Sequence, residues 1–381
     1  MTRCKHQTRA LTLAAGLWTL SIVSLGIAPA VQAQTAGTAP EPARTGRDLY
    51  AHACAACHGP DGKGSPQSTV GFDTPLPDFT NCIFTTPEPN ADWMAVVHDG
   101  GPRRAFDRRM PAFGEALPEE DILRVIEHLR TFCASKSWPR GELNLPRPLA
   151  TEKAFPENEA VLTINVAASG PGAVDNEFTY EHRLGARSQF EFVVPVALQE
   201  ADGRWSQGVG DVAAAFKHTL FHNLDRGAIL SLGGELSVPT GKEKAGLGKG
   251  TAVIEQFVAF GQILPSDGFL QLHAGVELPV DPDRVEREAF WRVAAGKSLT
   301  EGHFGRIWSP MVELLAAREL EKGRVVEWDI VPEMQVTLST RQHIRVNGGF
   351  RLPVNERQTR SRQILVYLLW DWADGGLLSG W

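Results

Sequence analysis

One short segment of the chain combines two thiols with an imidazole, because residues 54 to 58 read Cys-Ala-Ala-Cys-His. Thiols at this spacing, near the end of a helix, are close enough to add to the two vinyl groups of one porphyrin, and the adjacent imidazole then reaches the iron. A thioredoxin-like redox pair and half a zinc site are the alternatives, but neither requires a His directly after the second Cys. The segment therefore predicts one covalent haem c, attached through Cys54 and Cys57 and ligated by His58.

The N-terminus has the pattern of an export signal. Basic residues precede an apolar stretch from Ala10 to about Val31, and small residues follow up to Ala33, so we expect residues 1–33 to be removed as a signal peptide. An uncleaved membrane anchor is the alternative, which the polar breaks in the apolar run disfavour. Loss of three basic residues takes the formal net charge from -7 to -10, which argues against a nucleic-acid partner. Residues 34–43 are small and Pro-containing and predict a flexible leader.

Residues 44–134 have the composition of a small helical domain. Few helix breakers occur from Arg44 to Ala56, and a second helix opens with acidic residues after Leu117. That second helix carries an apolar stripe at helical spacing, which predicts one buried face. The stripe consists of Ile122, Val125, Ile126 and Leu129. Residues 135–158 then change to proline and charge, which predicts a Pro-rich linker and a domain boundary.

The order of motifs in residues 44–133 resembles that of class I cytochromes c. The resemblance rests on Gly46 with Tyr50, the segment 54–64, the Met-Pro-Ala-Phe-Gly run that begins at Met110, and the helix from Glu119 to Phe132. It implies that Met110 is the second axial ligand of the iron. A thioether is a soft ligand that favours ferrous iron, so a His/Met site has a higher potential than a His/His site. A core methionine is the alternative interpretation of Met110.

Three further groups in this domain carry open interpretations. His98 is the other nearby imidazole, and its sequence context suggests a solvated histidine at a helix end rather than an iron ligand. The arginines before Met110 either surround the exposed haem edge, where they would steer an acidic partner or pair with the propionates, or lie in a solvated loop. Cys82 and Cys133 remain once the other cysteines are assigned, and we expect them to form a disulfide rather than two buried thiols. The arginines are Arg103, Arg104, Arg108 and Arg109.

Residues 159–381 alternate apolar and polar side chains with the period of β-strands. In the segment from Leu270 to Leu278, for example, even-numbered positions are apolar and odd-numbered positions include Gln271 and His273. Runs of this kind, separated by Gly, Asp, Asn or Pro, predict about 10–12 antiparallel strands of membrane-crossing length. We favour an outer-membrane barrel over a soluble β-sandwich, because aromatic residues fall near strand ends as interface girdles require. These are Trp291, Trp308, Trp328, Trp370, Trp372 and the terminal Trp381.

The two parts together resemble fused cytochrome–porin proteins of bacterial outer membranes, some of which accept electrons from ferrous iron outside the cell. The segments that begin at Leu236 and Gly246 also resemble outer-membrane barrel proteins assigned to transport. The expected barrel is smaller than the roughly sixteen strands of the fused proteins, so its channel should be narrow or filled with side chains.

The sequence thus predicts a monohaem electron-transfer protein without catalytic residues, tethered to an outer-membrane barrel. We expect lipid and a periplasmic redox protein as partners and the haem domain on the periplasmic side. The alternatives are an outer-membrane channel or transport protein with a redox-sensing cytochrome domain, and a soluble periplasmic electron carrier with a β-sandwich domain. A catalytic cytochrome such as a peroxidase would need an open axial position.

Overall fold

The computed structural model describes residues 44–72, 76–201 and 203–372. The expected signal peptide, the leader and Trp381 lie outside these residues. The described part consists of a helical domain at its N-terminal end, an irregular proline-rich segment, and a large antiparallel sheet that begins at Glu159. No helix among the described residues is long and apolar enough to cross a membrane.

The helical domain contains two helices that pack against each other and several shorter ones. The N-terminal helix α1 is capped by the Thr45 hydroxyl, which accepts from the Asp48 amide, and it ends at Ala53 where we had expected one helix to Ala56. The predicted stripe on α6 is fully buried, which confirms the amphipathic helix. The helices are α1 (Gly46–Ala53), α2 (Ala55–His58), α3 (Gln67–Val70), α4 (Cys82–Thr85), α5 (Asn90–Asp99) and α6 (Glu119–Arg130).

Fourteen strands follow in the described residues, and twelve of them close into a barrel. Each strand pairs antiparallel with its neighbour, and the pairing of β9 with β11 completes the circle. The short strand β4 extends β3, and β10 pairs with the start of β11. The strands are β1 (Glu159–Ala167), β2 (Ala173–Leu184), β3 (Ser188–Ala201), β4 (Arg204–Val209), β5 (Val212–Asn223), β6 (Ala228–Val238), β7 (Val253–Leu264), β8 (Gly268–Pro279), β9 (Glu288–Lys297), β10 (Leu299–Thr300), β11 (Ile307–Glu319), β12 (Glu327–Thr337), β13 (Ile344–Pro353) and β14 (Gln363–Asp371).

The closed barrel confirms the predicted fold class at the upper end of the expected strand number. The stretch from Val312 to Leu320 has a sequence that is compatible with either a helix or a strand, and it lies largely in β11. Tertiary pairing decides this stretch because β11 is hydrogen-bonded to strands on both sides. A single closed sheet also excludes the two-sheet β-sandwich that we had kept as an alternative.

The outer face of the barrel is a continuous apolar surface. Outward-facing side chains such as Phe216, Leu232 and Phe350 are each about half exposed, whereas their strand neighbours point inward and are polar or small. Soluble monomers rarely expose apolar patches beyond a few hundred Å², so a belt around a whole barrel matches a lipid-facing surface.

Tryptophans mark two levels on this surface, as predicted. Trp308 lies at the start of β11, whereas Trp291 and Trp328 both lie opposite Ala316 on the same strand. Eight positions along β11 correspond to about 27 Å of strand, or roughly 21 Å along the membrane normal at the tilt usual for such barrels. Trp372 differs from the prediction because it is buried and stacks on Tyr180 rather than facing lipid.

The interior of the barrel is occupied by the chain itself. Residues 143–158, the last two thirds of the expected linker, hydrogen-bond to inward-facing side chains of strands around the circumference. A segment that contacts so many strands of a closed cylinder from their inner side must lie in the lumen, and we call it the lumenal segment. Its partners include Gln189 on β3, Lys217 on β5, Ser231 on β6, Gln271 on β8, Glu313 on β11, Asn347 on β13 and Tyr367 on β14.

Ion pairs accompany these hydrogen bonds. Arg147, at the centre of the lumenal segment, places one guanidinium nitrogen 2.6 Å from a Glu159 carboxylate oxygen and 2.5 Å from one of Glu181. Lys153 pairs with Glu157 at 2.5 Å within the segment. We had expected a narrow channel or one filled by side chains, and the structure fills it with backbone as well.

Candidate functional site

The predicted haem-attachment residues lie on one compact turn of the helical domain. Cys54 separates α1 from α2, and Cys57 and His58 are the last residues of α2. Both thiols are free and half-buried. The chain leaves α2 through Gly59, whose φ of 74° is in the left-handed region, and then folds back so that the Ser65 amide donates to Cys57 O at 2.7 Å. The two thiols and the imidazole are therefore held on a short rigid unit.

His58 is half-buried, and its Nδ1 atom is buried without a hydrogen-bond partner among the described residues. Burial lowers the pKa of His58, which favours the neutral imidazole that iron requires. Phe79 lies against the ring with centroids 5.1 Å apart. Burial also raises the pKa of the Cys54 thiol to about 11. Two free thiols beside a buried neutral imidazole fit a covalently attached haem, because orphaned buried polar groups are otherwise costly.

A second layer of residues fixes this turn. The Tyr50 hydroxyl donates to Gly59 O at 2.6 Å and lies 3.3 Å from His58 O. Burial raises the pKa of Tyr50 to about 12, so the hydroxyl remains a donor. Gly46 lets α1 approach α6, since a Cβ atom there would lie 2.0 Å from Arg124 O. Gly46 and Tyr50, which carried part of the family resemblance, thus support the turn that contains Cys54, Cys57 and His58.

Met110 lies on the segment that follows α5. Its carbonyl accepts from the Gly101 amide at 3.0 Å, and its half-buried side chain packs against the same apolar core as Cys54. Met94, on α5, packs against this core as well. Met110 and the Cys54 end of the attachment turn therefore pack against one apolar core.

The structure pairs Cys82 with Cys133, as predicted. The bond joins the first residue of α4 to the segment just after α6. Closing a loop of this length removes entropy from the unfolded chain worth about 4 kcal/mol.

His98 and the arginines differ from the sequence interpretations. His98 does end α5, but its ring is only a quarter exposed and packs beside Phe304 at 5.4 Å between ring centroids. Arg104 is buried and pairs with Asp92 at 2.8 Å, and it also donates to Phe304 O at 2.9 Å. Phe304 belongs to a turn of the barrel, so Arg104 docks the two domains rather than lining the haem edge.

The other three arginines do not act with Arg104 as one unit. Arg103 lies 3.5 Å from Asp99, and Arg109 lies 3.6 Å from Asp107. Arg108 is exposed. The buried arginine cannot be distinguished from its neighbours by sequence, because all four arginines occur in one polar, turn-forming stretch.

A His-x-x-x-His spacing, which could complete half a zinc site, does occur at His218 and His222, contrary to our expectation that the chain has none. Both residues lie on β5, where His218 Nδ1 is 2.8 Å from the Ser188 hydroxyl and His222 Nε2 is 3.2 Å from Ser137 O. These partners give the pair a structural explanation separate from the Cys54–Cys57 turn.

Comparison with known proteins agrees with this division of the chain. Residues 41–129 match the family model described as cytochrome c oxidase, cbb3-type, subunit III. The chain carries a c-type cytochrome domain ahead of an outer-membrane-type β-barrel. No curated protein sequence matches the chain.

Among solved structures, the barrel is similar in fold to several outer-membrane proteins at low sequence identity. The outer membrane channel from Pseudomonas putida F1 is 13% identical, with 60% of this chain and 100% of that chain covered and a TM-score of 0.44. The NanC porin is 8% identical, with coverage of 56% and 99% and a TM-score of 0.40. The KdgM porin is 7% identical, with the same coverage and a TM-score of 0.39.

The turn that contains Cys54, Cys57 and His58 should lose stability when the hydrogen bonds of the Tyr50 hydroxyl are removed. Tyr50→Phe leaves two carbonyl acceptors without this donor, so we expect the free energy of unfolding of the cytochrome domain to fall by about 1–2 kcal/mol. Denaturant titration followed in the Soret band measures this change. Tyr180→Phe is the matched control, because the Tyr180 ring stacks on Trp372 without a hydroxyl bond among the described residues. Equal effects of both variants on the free energy of unfolding would contradict the stabilising role assigned to the Tyr50 hydroxyl.

Proposed function

We propose that this protein is a monohaem c-type cytochrome that transfers electrons while anchored to the outer membrane by its barrel. The observation that carries the proposal is the pair of free thiols beside the buried, unpartnered imidazole of His58. Cys54 and Cys57 would hold haem c by thioether bonds, and His58 and Met110 would be its axial ligands. When bound, the haem supplies one-electron exchange between ferrous and ferric iron.

Two features of the protein would favour electron exchange over reaction of the haem with a substrate. Phe79 and the apolar core shield His58 from water, which limits reorganisation when the charge of the site changes. Met110 would occupy the remaining axial position and so exclude substrates. The proposal is therefore an electron carrier rather than a substrate-converting enzyme.

Replacement of the proposed thioether ligand tests this assignment. We expect Met110→Leu to lose the Met-to-iron absorption band of the ferric protein and to lower the reduction potential by on the order of 0.1 V, within the roughly 0.8 V range that axial ligands set. Met94→Leu is the matched control, since Met94 packs against the same core. Spectroelectrochemistry of both variants gives the answer. An unchanged Met-to-iron absorption band in Met110→Leu, or peroxide turnover by the wild-type protein, would contradict the proposal.

The cytochrome domain is proposed to lie on the periplasmic side, where a periplasmic redox protein would be its partner. Arg187, in the short turn between β2 and β3, donates to Ser137 O at 3.0 Å, so the domain sits at the end of the barrel with short turns. The long loop at residues 239–252, between β6 and β7, lies at the opposite end. Outer-membrane barrels have short periplasmic turns and longer external loops.

Cysteine labelling tests this orientation. Lys244→Cys, in the long loop, should react with a membrane-impermeant maleimide in intact cells, because we expect that loop outside. Asp225→Cys, in the turn between β5 and β6, should react only after the outer membrane is permeabilised. Both native side chains are exposed, which makes the pair comparable. The reverse pattern would place the haem domain outside the cell.

One observation favours a second candidate, a cation channel with a redox-sensing cytochrome. Inward-facing glutamates on four adjacent strands lie directly opposite one another in register, and rings of carboxylates select cations. Against it, the lumenal segment fills the barrel. The row consists of Glu235, Glu255, Glu277 and Glu288.

Planar-bilayer recording separates the two candidates. For an electron carrier we expect no measurable conductance in either redox state, because the lumenal segment is hydrogen-bonded to the strands around it. Cation-selective conductance that changes when the haem is reduced, and whose selectivity falls in Glu255→Gln, would instead establish the channel. The control is Glu286→Gln, at a residue in the exposed loop between β8 and β9.

A further inference from the structure

Three potential metal ligands converge where the cytochrome domain meets the barrel. His98 comes from the last turn of α5, Glu119 from the first turn of α6, and His303 from the barrel turn before β11. One ligand atom from each lies within 4.8 Å of the other two. The three residues are far apart in sequence and belong to both domains, so docking alone creates the cluster.

The separation between two of the three ligand atoms matches that expected around a tetrahedral ion. His303 Nε2 lies 3.2 Å from a Glu119 carboxylate oxygen. Two ligands at zinc bond lengths of 2.0–2.1 Å and the tetrahedral angle are about 3.3 Å apart. The side chains of His303 and Glu119 are each about half exposed, so an ion can enter from solution.

His98 has the carboxylate partner that metal-bound histidines usually have. Its Nδ1 lies 2.6 Å from an Asp99 carboxylate oxygen, and a carboxylate in this position fixes the tautomer and leaves Nε2 to face a metal. Arg103, 3.5 Å from the other Asp99 oxygen, partly balances its charge. The ring packs on Gly114, where a Cβ atom would lie 2.6 Å from His98 Nε2. Only glycine leaves room for the imidazole here.

His303 is also held in place. Its ring stacks on Phe304 with centroids 3.9 Å apart, and the two histidine rings meet edge to face at 5.4 Å. The turn itself is anchored because Phe304 O accepts from the buried Arg104, which pairs with Asp92. Two ligands thus have supporting contacts that do not depend on an ion.

From this arrangement we propose that His98, Glu119 and His303 bind a divalent transition-metal ion, with zinc as the best fit and water in the fourth position. Two imidazoles and one carboxylate are a ligand set that zinc accepts, and copper(II) binds such sites more tightly still. The ion joins α5 and α6 of the cytochrome domain to a turn of the barrel and so cross-links the two domains. The site is separate from the haem ligands and its binding does not depend on the proposed electron transfer.

Zinc titration of the whole protein tests the site. The tag-free, haem-loaded protein in detergent, stripped of metal, should bind one Zn²⁺ at this position by calorimetry. We expect His303→Gln and Glu119→Gln each to weaken binding at least tenfold, and Asp99→Asn to weaken it by about tenfold through the orientation of His98. Matched controls are Glu301→Gln in the same turn and Glu120→Gln on the same helix, which should bind as the wild type does.

X-ray absorption at the zinc edge identifies the ligands directly. The wild-type protein should show two imidazole nitrogens at about 2.0–2.1 Å, and His303→Gln should show one or none. Hydrogen exchange of residues 301–306 should slow on zinc addition in the wild type and in the two control variants, but not in His303→Gln or Glu119→Gln. Retained haem absorbance shows that the variants fold. Equal affinity in the ligand variants and the controls, or an all-oxygen zinc shell in the wild type, would overturn the proposal.

Discussion

The need to satisfy buried charge inside the barrel governs the rest of the structure. Inward-facing carboxylates such as Glu159 and Glu181 are fully buried, and burial of an unpaired charge is very unfavourable. Arg147 of the lumenal segment contacts both. Lys217 of the barrel likewise pairs with Glu152 of the segment at 2.6 Å. The barrel and the segment that fills it are therefore complementary in charge, and removal of one would leave the other with uncompensated ions.

This constraint also determines where the cytochrome can lie. Because residues 143–158 are fixed in the lumen, only a short stretch connects them to the end of α6. That stretch is itself bound to the cytochrome domain, since the Gly141 amide donates to Thr86 O at 2.7 Å. A Cβ atom at Gly141 would lie 1.9 Å from Pro87 O, so the connection runs against the cytochrome backbone. The buried Arg104 adds a direct contact to the rim. The haem domain is docked on the barrel rather than suspended from a flexible linker.

A docked cytochrome on a filled barrel has consequences for function. If the protein carries electrons as we propose, a fixed cytochrome domain would meet its partners in a limited range of orientations. A filled lumen is compatible with that role and opposes free diffusion of solutes. The acidic row of Glu235, Glu255, Glu277 and Glu288 is a further feature of the interior in the described part of the chain. It gives the barrel a cation-attracting interior whether or not the lumenal segment moves.

The sequence by itself determined what depends on local pattern. The Cys-Ala-Ala-Cys-His spacing predicts the covalent attachment of haem, the stripe from Ile122 to Leu129 sets the buried face of α6, and two-residue alternation sets which side chains of each strand point out of the barrel. The cysteine count favoured a disulfide between Cys82 and Cys133 over two separate thiols, and the structure contains that bond. These features could be predicted because each is set by residues near one another in the chain or by elimination.

Only the tertiary structure decided what depends on distant partners. A proline-rich stretch has the same composition whether it is a linker in water or a segment inside a barrel, so the role of residues 143–158 could not be predicted. The charges that match it are spread over strands as distant in sequence as Glu181 and Glu333. The distinction between Arg104 and its neighbours, and the meeting of His98 with His303, likewise arise from docking, because burial and distance are properties of the folded chain.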